Sequence, residues 1–438
     1  MMRARLKIGF ALVALTLLSV AAHAQLVIEI TRGQANAIPI AVVPFGWTSS
    51  SALPTDVAEV VASDLARSGR FAPLERRDMI DRPISGADIR FQDWKYLKSD
   101  YIAVGQVTPA GAGYSVQFEL FNVLTGKSLL GKRLPSTATE LRATAHRVAD
   151  LIYEQLTGTP GAFSTRIAFL RVEGVAPKLQ YNLLVADSDG ANEQSIATST
   201  EPLMSPAWSP DGQSLAYVSF ENRNPAIFIQ TLRTGVRRRV SARAGINGAP
   251  AWSPDMKTLA LTLSRKDGDV DVYTLDLASQ VLTRMTFDPG IDTEPEWSLD
   301  GKKLYYTSDR GGSPQIYEAN VNDPRTPRRV TFEGNYNARA RISPDGKRLA
   351  VVHLDGNNFR IATVDLASKA VQVLSQGRQD ESPSFAPNGS TIIYASQDGG
   401  RGVLATVSTD GRITQRLAAS SGDVREPVWS PFPPGAAK

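Results

Sequence analysis

The 438-residue chain has no cysteine. Disulfide staples, cysteine nucleophiles and cysteine-ligated zinc are therefore excluded, and stability has to come from packing. Histidine is nearly as scarce, with only His23, His146 and His353 present. No H-E-x-x-H, G-x-S-x-G or G-x-x-x-x-G-K-[ST] pattern occurs, so the common signatures of metalloproteases, α/β-hydrolases and P-loop enzymes are missing. No catalytic residue and no metal site is expected. An excess of one charge is missing too. Removing Arg3, Arg5 and Lys7 with the leader described below leaves 45 Lys and Arg against 44 Asp and Glu. That balance argues against nucleic acid as a partner, because such binding rests on neutralising phosphates. The basic run Arg237-Arg238-Arg239 reads as a solvated outer strand face.

Long apolar runs are absent apart from one. Arg3, Arg5 and Lys7 precede Ile8 to Ala22, and Ala22-His23-Ala24 follows as an A-x-A cleavage site. Residues 1–24 therefore read as a secretory signal peptide, with a mature start at Gln25. No cysteine stands at the new terminus, so lipid anchoring is not expected. A signal peptide on a body without further apolar runs fits a bacterial periplasm.

What the chain does have is a repeat. PAWSPDGQSLAYVS starts at Pro206, PAWSPDMKTLALTL at Pro250, PEWSLDGKKLYYTS at Pro295, ARISPDGKRLAVVH at Ala340 and PSFAPNGSTIIYAS at Pro383. A truncated copy, PVWSP, starts at Pro427. The steps are 44, 45, 45, 43 and 44 residues. That period, with four strand-like segments per unit, predicts a β-propeller. Trp208, Trp252, Trp297, Ile342, Phe385 and Trp429 occupy one equivalent place and are expected to pack between blades. Arg166 to Leu170 looks like a second strand with no first strand before it, whereas PVWSP is a first strand with nothing after it. The count therefore closes at six blades, with the C-terminal strand completing the blade begun at 166. Residues 161–438 form this propeller.

Residues 25–160 lack the repeat and read as an α/β domain, a small mixed sheet with helices. Ile38 to Phe45 is a buried strand, and a helix runs from Thr55 or Asp56 to about Ser68. Tyr101–Thr108 and Tyr114–Val123 make a hairpin, and Leu129–Leu134 is a third antiparallel strand. A helix covers Thr139–Leu156. Helices on one face of the sheet suit this order.

With strand one innermost, the residues just before it ring one mouth of the central channel. Among them Met204, Ser205, Asn247, Ala249, Asp292, Thr293, Glu294, Ala338, Arg339, Asp380, Glu381, Arg425 and Glu426 mix acids, arginine, amides and small side chains. That is the composition of a polar protein-binding surface. The repeated Asp211, Asp255, Asp300 and Asp345 belong to turns on separate blades and do not converge.

Across nearly its full length the chain resembles the TolB family, the periplasmic component of the Tol–Pal cell-envelope system. The resemblance is carried by IPIAVVPFGW at Ile38, VASDLARSGRFAPL at Val61, YIAVGQVTP at Tyr101, EQLTGTPGAFSTRIAF at Glu154 and PLMSPAWSPDG at Pro202. NGAPAWSPD at Asn247, TEPEW at Thr293 and DESPSFAPNG at Asp380 add to it. It implies a monomeric adaptor, not an enzyme, that supports outer-membrane integrity and constriction during cell division. It also implies docking of the lipoprotein Pal over the channel mouth and of the inner-membrane protein TolA on the mature N-terminus. On this chain that terminus is Gln25, Leu26, Val27, Ile28, Glu29, Ile30, Thr31, Arg32 and Gly33. Met256 and Leu299 depart from the turn motif's Gly and Pro. Two alternatives stand beside this reading. One is a propeller-gated hydrolase, although no hydrolase segment follows the repeats. The other is a ligand or divalent cation held in the channel by Asp292, Glu294, Asp380, Glu381 and Glu426.

Overall fold

The computed structural model describes residues 27–30, 37–49, 51–264, 268–418 and 422–434. The signal peptide expected at 1–24, and Gln25, Leu26, Thr31, Arg32 and Gly33, lie outside them. No helix among the described residues is long and apolar enough to cross a membrane.

In the first domain β2 (Ile38–Val42) lies parallel to both β4 (Phe71–Pro73) and β5 (Tyr101–Ala110). Two further strands, β6 (Gly113–Asn122) and β7 (Ser128–Ser136), continue antiparallel from β5, while β3 (Gly46–Trp47) pairs with β5. Helix α1 (Val57–Arg67) begins at Asp56, whose Oδ1 accepts the Glu59 backbone N–H at 3.0 Å. Helix α3 (Leu141–Thr157) ends on Gly158, whose φ of 73° suits a residue without Cβ. Both helices bury Val57, Val61, Leu65, Leu141, Val148 and Ile152 on one face of the sheet. The opposite face is covered as well, contrary to the one-sided arrangement expected from element order. Short α2 (Phe91–Tyr96) sets Trp94 against Ile102 and Val104. The reason is visible in the unbroken apolar run Ile102-Ala103-Val104, since both faces of such a strand need cover.

Six blades follow. Blades two to five are four-stranded meanders, beginning at Leu203, Asn247, Asp292 and Asn337. Blade one takes its innermost strand, Asp423–Trp429, from the C-terminal end, where it pairs antiparallel with Arg166–Val175. The ring therefore closes as the orphan strands foretell. Around it, tryptophan indoles stitch neighbouring blades. Trp208 Nε1 donates to the Val428 carbonyl at 3.1 Å, Trp252 to Ala207 at 3.2 Å and Trp297 to Ala251 at 3.1 Å. Trp429 donates to Thr165 Oγ1 at 2.8 Å. In blades two to six the turn after strand one is held by a side chain. In blade two Asp211 Oδ1 accepts both the Ser209 hydroxyl and the Gln213 backbone N–H. Met256 takes φ 61° where Gly212, Gly301 and Gly346 take 67–70°, so its turn keeps the same shape.

The domains meet on the turn face of blades one and six. Asn388 donates to the Pro160 carbonyl at 2.9 Å, and Gln415 Nε2 to the Arg67 carbonyl at 2.6 Å. Beside them lies a buried ionic knot. His146 Nδ1 is 2.6 Å from Asp64, and its Nε2 faces Asp187 at 3.7 Å and Asp189 at 3.9 Å. Arg67 pairs with Asp64 at 2.9 Å and reaches Ser188, while Arg142 grips Asp189. Three carboxylates against two guanidinium groups leave one positive charge to find, and the imidazolium supplies it. Burial pulls the His146 pKa down, but Asp64 and Asp187 outweigh it, and the group is pushed up to about 10. The sequence reading expected no catalytic role for His146 and did not foresee this cross-domain setting.

Finally, β1 (Val27–Ile30) lies antiparallel along the outermost strand of blade six, Thr414–Ala418, with Val27 opposite Ala418 and Ile30 opposite Gln415. Blade six thus has five strands.

Two expectations follow. Deleting Pro427–Lys438 uncovers the edge at Arg166–Ala168 and removes the Trp429 ring, a loss of about 3 kcal/mol or more; a melting point within a degree or two of the parent's would contradict ring closure. A histidine with a raised native pKa contributes stability that is complete below its unfolded value of 6.5 and lost as pH climbs through about 10. His146→Gln should therefore cost about 3 kcal/mol near neutral pH, as for one broken member of a buried pair. Calorimetry should find that the gap to the parent narrows as pH rises from 6.5 toward 10 and has closed above that.

Candidate interaction site at the channel mouth

Each innermost strand carries the same irregularity. Ser205, Ala249, Glu294, Arg339, Ser382 and Glu426 all have positive φ, between 44° and 56°. At each the ladder slips by one residue. In five of the six blades proline follows, and its fixed φ continues the strand toward the tryptophan position. These six left-handed residues line the central tunnel together.

This frame sorts the thirteen expected residues into three tiers. Two positions before the left-handed residue stands a buried anchor. Asn247 is 1% exposed and bonds Ser241, the Arg243 N–H and the Arg243 carbonyl. Asp292, fully buried, holds Arg310 through both oxygens at 2.9 and 3.0 Å. Asp380, likewise buried, accepts from Ser396 and the Gly377 N–H. These three do not face the mouth. They shape the loops that do, a correction to the sequence reading. Polar residues in a turn-rich stretch look exposed until the loop is seen folding around them. The next position forms the mouth: Met204, Glu381 and Arg425 are exposed, Thr293 is half-buried and Ala338 is covered. The left-handed tier, with Ser205, Ala249, Glu294, Arg339 and Glu426, faces the tunnel. Ser382 completes the tunnel-facing tier, and Gly248 occupies the mouth position of its blade.

The tunnel is electrostatically organised around one arginine. Arg339 pairs with Glu294 at 3.0 Å and Glu426 at 3.2 Å and donates to Ser382 Oγ. Glu426 also accepts the Ser205 backbone N–H at 2.7 Å, and Glu294 the Thr307 hydroxyl at 3.1 Å. Burial alone pulls the Arg339 pKa down, yet Glu294, Glu426 and Glu381 leave it raised. The acids proposed for a channel cation do not converge. Asp292 and Asp380 are spent inside their loops, and Arg339 lies between Glu294 and Glu426. The one group of metal-ligand type among the described residues, Asp64, His146 and Asp189, belongs to the domain junction, where Arg67 and Arg142 already hold both carboxylates.

Beside the tunnel, between blades five and six, the mouth opens into a cavity of about 530 Å³. Its wall includes Tyr336, Phe359, Glu381, Gln397 and Arg425. The Tyr336 and Phe359 rings meet edge-on at 5.1 Å. An aromatic pair with opposite charges at the lip suits a partner's side chain.

The geometry defines a six-bladed propeller on an α/β domain, with an open mouth on the face away from that domain. A model of the TolB amino-terminal domain matches residues 26–129, and one of the TolB β-propeller domain residues 153–433. The Tol-Pal system protein TolB of Xanthomonas oryzae pv. oryzae is 50% identical over 430 residues, covering 96% of this chain and 98% of its own. That of Xanthomonas axonopodis pv. citri is 50% identical over 428 residues, covering 96% and 97%. The crystal structure of TolB from Acinetobacter baumannii superposes with a TM-score of 0.87 at 40% identity, covering 93% of this chain and all of that one. The chain belongs to the TolB family.

Replacing Arg339 leaves Glu294 and Glu426 without the counter-charge that pairs with both. Arg339→Met should therefore lower stability by about 3 kcal/mol, with Glu294→Gln costing clearly less. Equal melting points for the two variants would show that Arg339 does not organise the tunnel.

Proposed function

We propose that this protein is a periplasmic adaptor of the Tol–Pal envelope system, without catalytic activity, that docks Pal over the channel mouth. One observation carries the reading. Six non-glycine residues occupy left-handed backbone around one tunnel, each at a cost of about 1–2 kcal/mol that glycine would avoid. Strain retained at side chains that share one opening marks a built surface. Around it stand Met204, Thr293, Glu381 and Arg425, with the adjoining cavity ready for a partner's anchoring side chain. The names of the relatives support the Tol–Pal assignment. The leader at 1–24 supports the periplasm, and the role extends to outer-membrane integrity and constriction at division.

Gln25–Gly33 is the proposed TolA segment. Ile28 and Ile30 alternate with Glu29 and Thr31, a pattern suited to strand addition on a partner's open edge. In this structure Val27–Ile30 already spends its backbone bonds on blade six. TolA therefore has to take the strand from that edge or read its outer side.

Titration calorimetry with the soluble domains of Pal and TolA tests both assignments. Met204→Asp and Thr293→Arg should each weaken Pal binding about tenfold or more, with melting unchanged. Ala249→Val should weaken it too. Its φ of 44° disfavours a β-branched side chain, so this variant should also melt lower, and Ala249→Asn is the cleaner probe. Charge reversal at Asp211, on the opposite face, should do little. Removing Gln25–Gly33 should abolish TolA binding and leave Pal within a few-fold. Loss of Pal in the Asp211 variant with retention in the mouth variants would overturn the assignment of faces.

A further inference from the structure

The docking of β1 on blade six shows that the outer edge of a blade can accept an added strand. The register sets Glu29 opposite Arg416 on that edge. Among the described residues, the corresponding edge of blade two, Arg237–Ser241, carries no further strand. It is also the most basic stretch of the chain. Residues 233–243 read RTGVRRRVSAR, five arginines with no acid. Arg233, Arg237, Arg238, Arg239 and Arg243 are all exposed. Among the described residues only Arg237 has an acidic contact, Glu221, and its guanidinium lies 3.8 Å above the Phe228 ring. Val236 beside them is 65% exposed.

The other outer edges are less open to a partner. Leu282–Arg284 and Val371–Val373 span three residues each. Asp323–Arg329 is interrupted by Pro324 and Pro327, which cannot donate to a ladder. Gln194–Ser199 carries no charge, so it offers nothing to select a charged partner. Edge cations commonly guard against self-pairing. Here they do so selectively: a second copy would set arginine against arginine, whereas an acidic strand would meet its complement.

We propose that the outer edge of blade two is a docking site for an extended acidic segment of another protein. The segment adds as a fifth strand, with acidic side chains at alternate positions opposite the arginines. Main-chain bonds supply the pairing, and the charges choose the partner. This surface is separate from the channel mouth and from the strand at the N-terminus.

The test uses the full-length mature protein and a fluorescein-labelled peptide, Thr-Glu-Val-Glu-Val-Glu-Thr. Anisotropy should show binding that falls roughly tenfold in Arg238→Glu/Arg239→Glu, whose side chains are exposed and whose melting should not change. It should weaken at high ionic strength. Against the unaltered protein, the same peptide N-methylated at alternate residues on either register should lose binding on the register that faces the edge. Equal binding of both methylated peptides would mean attraction by charge alone and would overturn strand addition. So would unchanged affinity in the double variant, or a preference for phosphatidylglycerol vesicles over the peptide.

Discussion

The pairing of Asp423–Trp429 with Arg166–Val175 is the contact on which the rest of the propeller depends. Blades two to six each complete their own sheet, but blade one exists only when segments from the two ends of the propeller meet. Once they meet, Trp208 can donate to Val428, and Ser205 can donate to Glu426 across the tunnel. Arg339 can then bridge blades four, five and one, so a contact made at the rim of the sequence sets the charge balance at the axis. The tunnel lining is in this sense a product of ring closure and not of any single blade.

A common device links the fold to the surface it offers. A residue in left-handed conformation breaks the inner strand's ladder and aims its side chain at the axis. The residue before it is raised toward solvent in every blade but the fifth, where Ala338 is covered, and the one before that is drawn into the loop. Asn247, Asp292, Asn337 and Asp380 repeat the last role with different chemistry, since each bonds atoms of its own loop or the next strand. What varies from blade to blade is therefore free to serve recognition, while the backbone stays constant.

Much of this was legible in the sequence. The period, the blade count and the closing strand came from PVWSP at Pro427 and the unpartnered Arg166–Leu170. The hairpin at Gly111 and the cap at Asp56 followed from local chemistry. Burial within the rim loops was not legible, because Asn247 and Asp292 are polar and sit among turn residues, and only three-dimensional contacts distinguish an anchor from an exposed side chain. The domain junction was equally hidden. Asp64, His146 and Asp187–Asp189 lie far apart in the chain, and no spacing rule joins them. The second covered face of the first sheet could have been read from Ile102-Ala103-Val104, where continuity outweighs alternation.

The composite blade also has a consequence for assembly in time. A chain that enters its compartment from the N-terminal end delivers the first domain and blades two to six before the strand that closes blade one. During that interval Arg166–Val175 waits with an open inner edge, and the domain junction rests on a blade that is still three-stranded. Residues near 423–429 thus act as a completion signal: until they arrive, the mouth has only five of its six walls, and a partner that reads the whole ring meets only finished molecules.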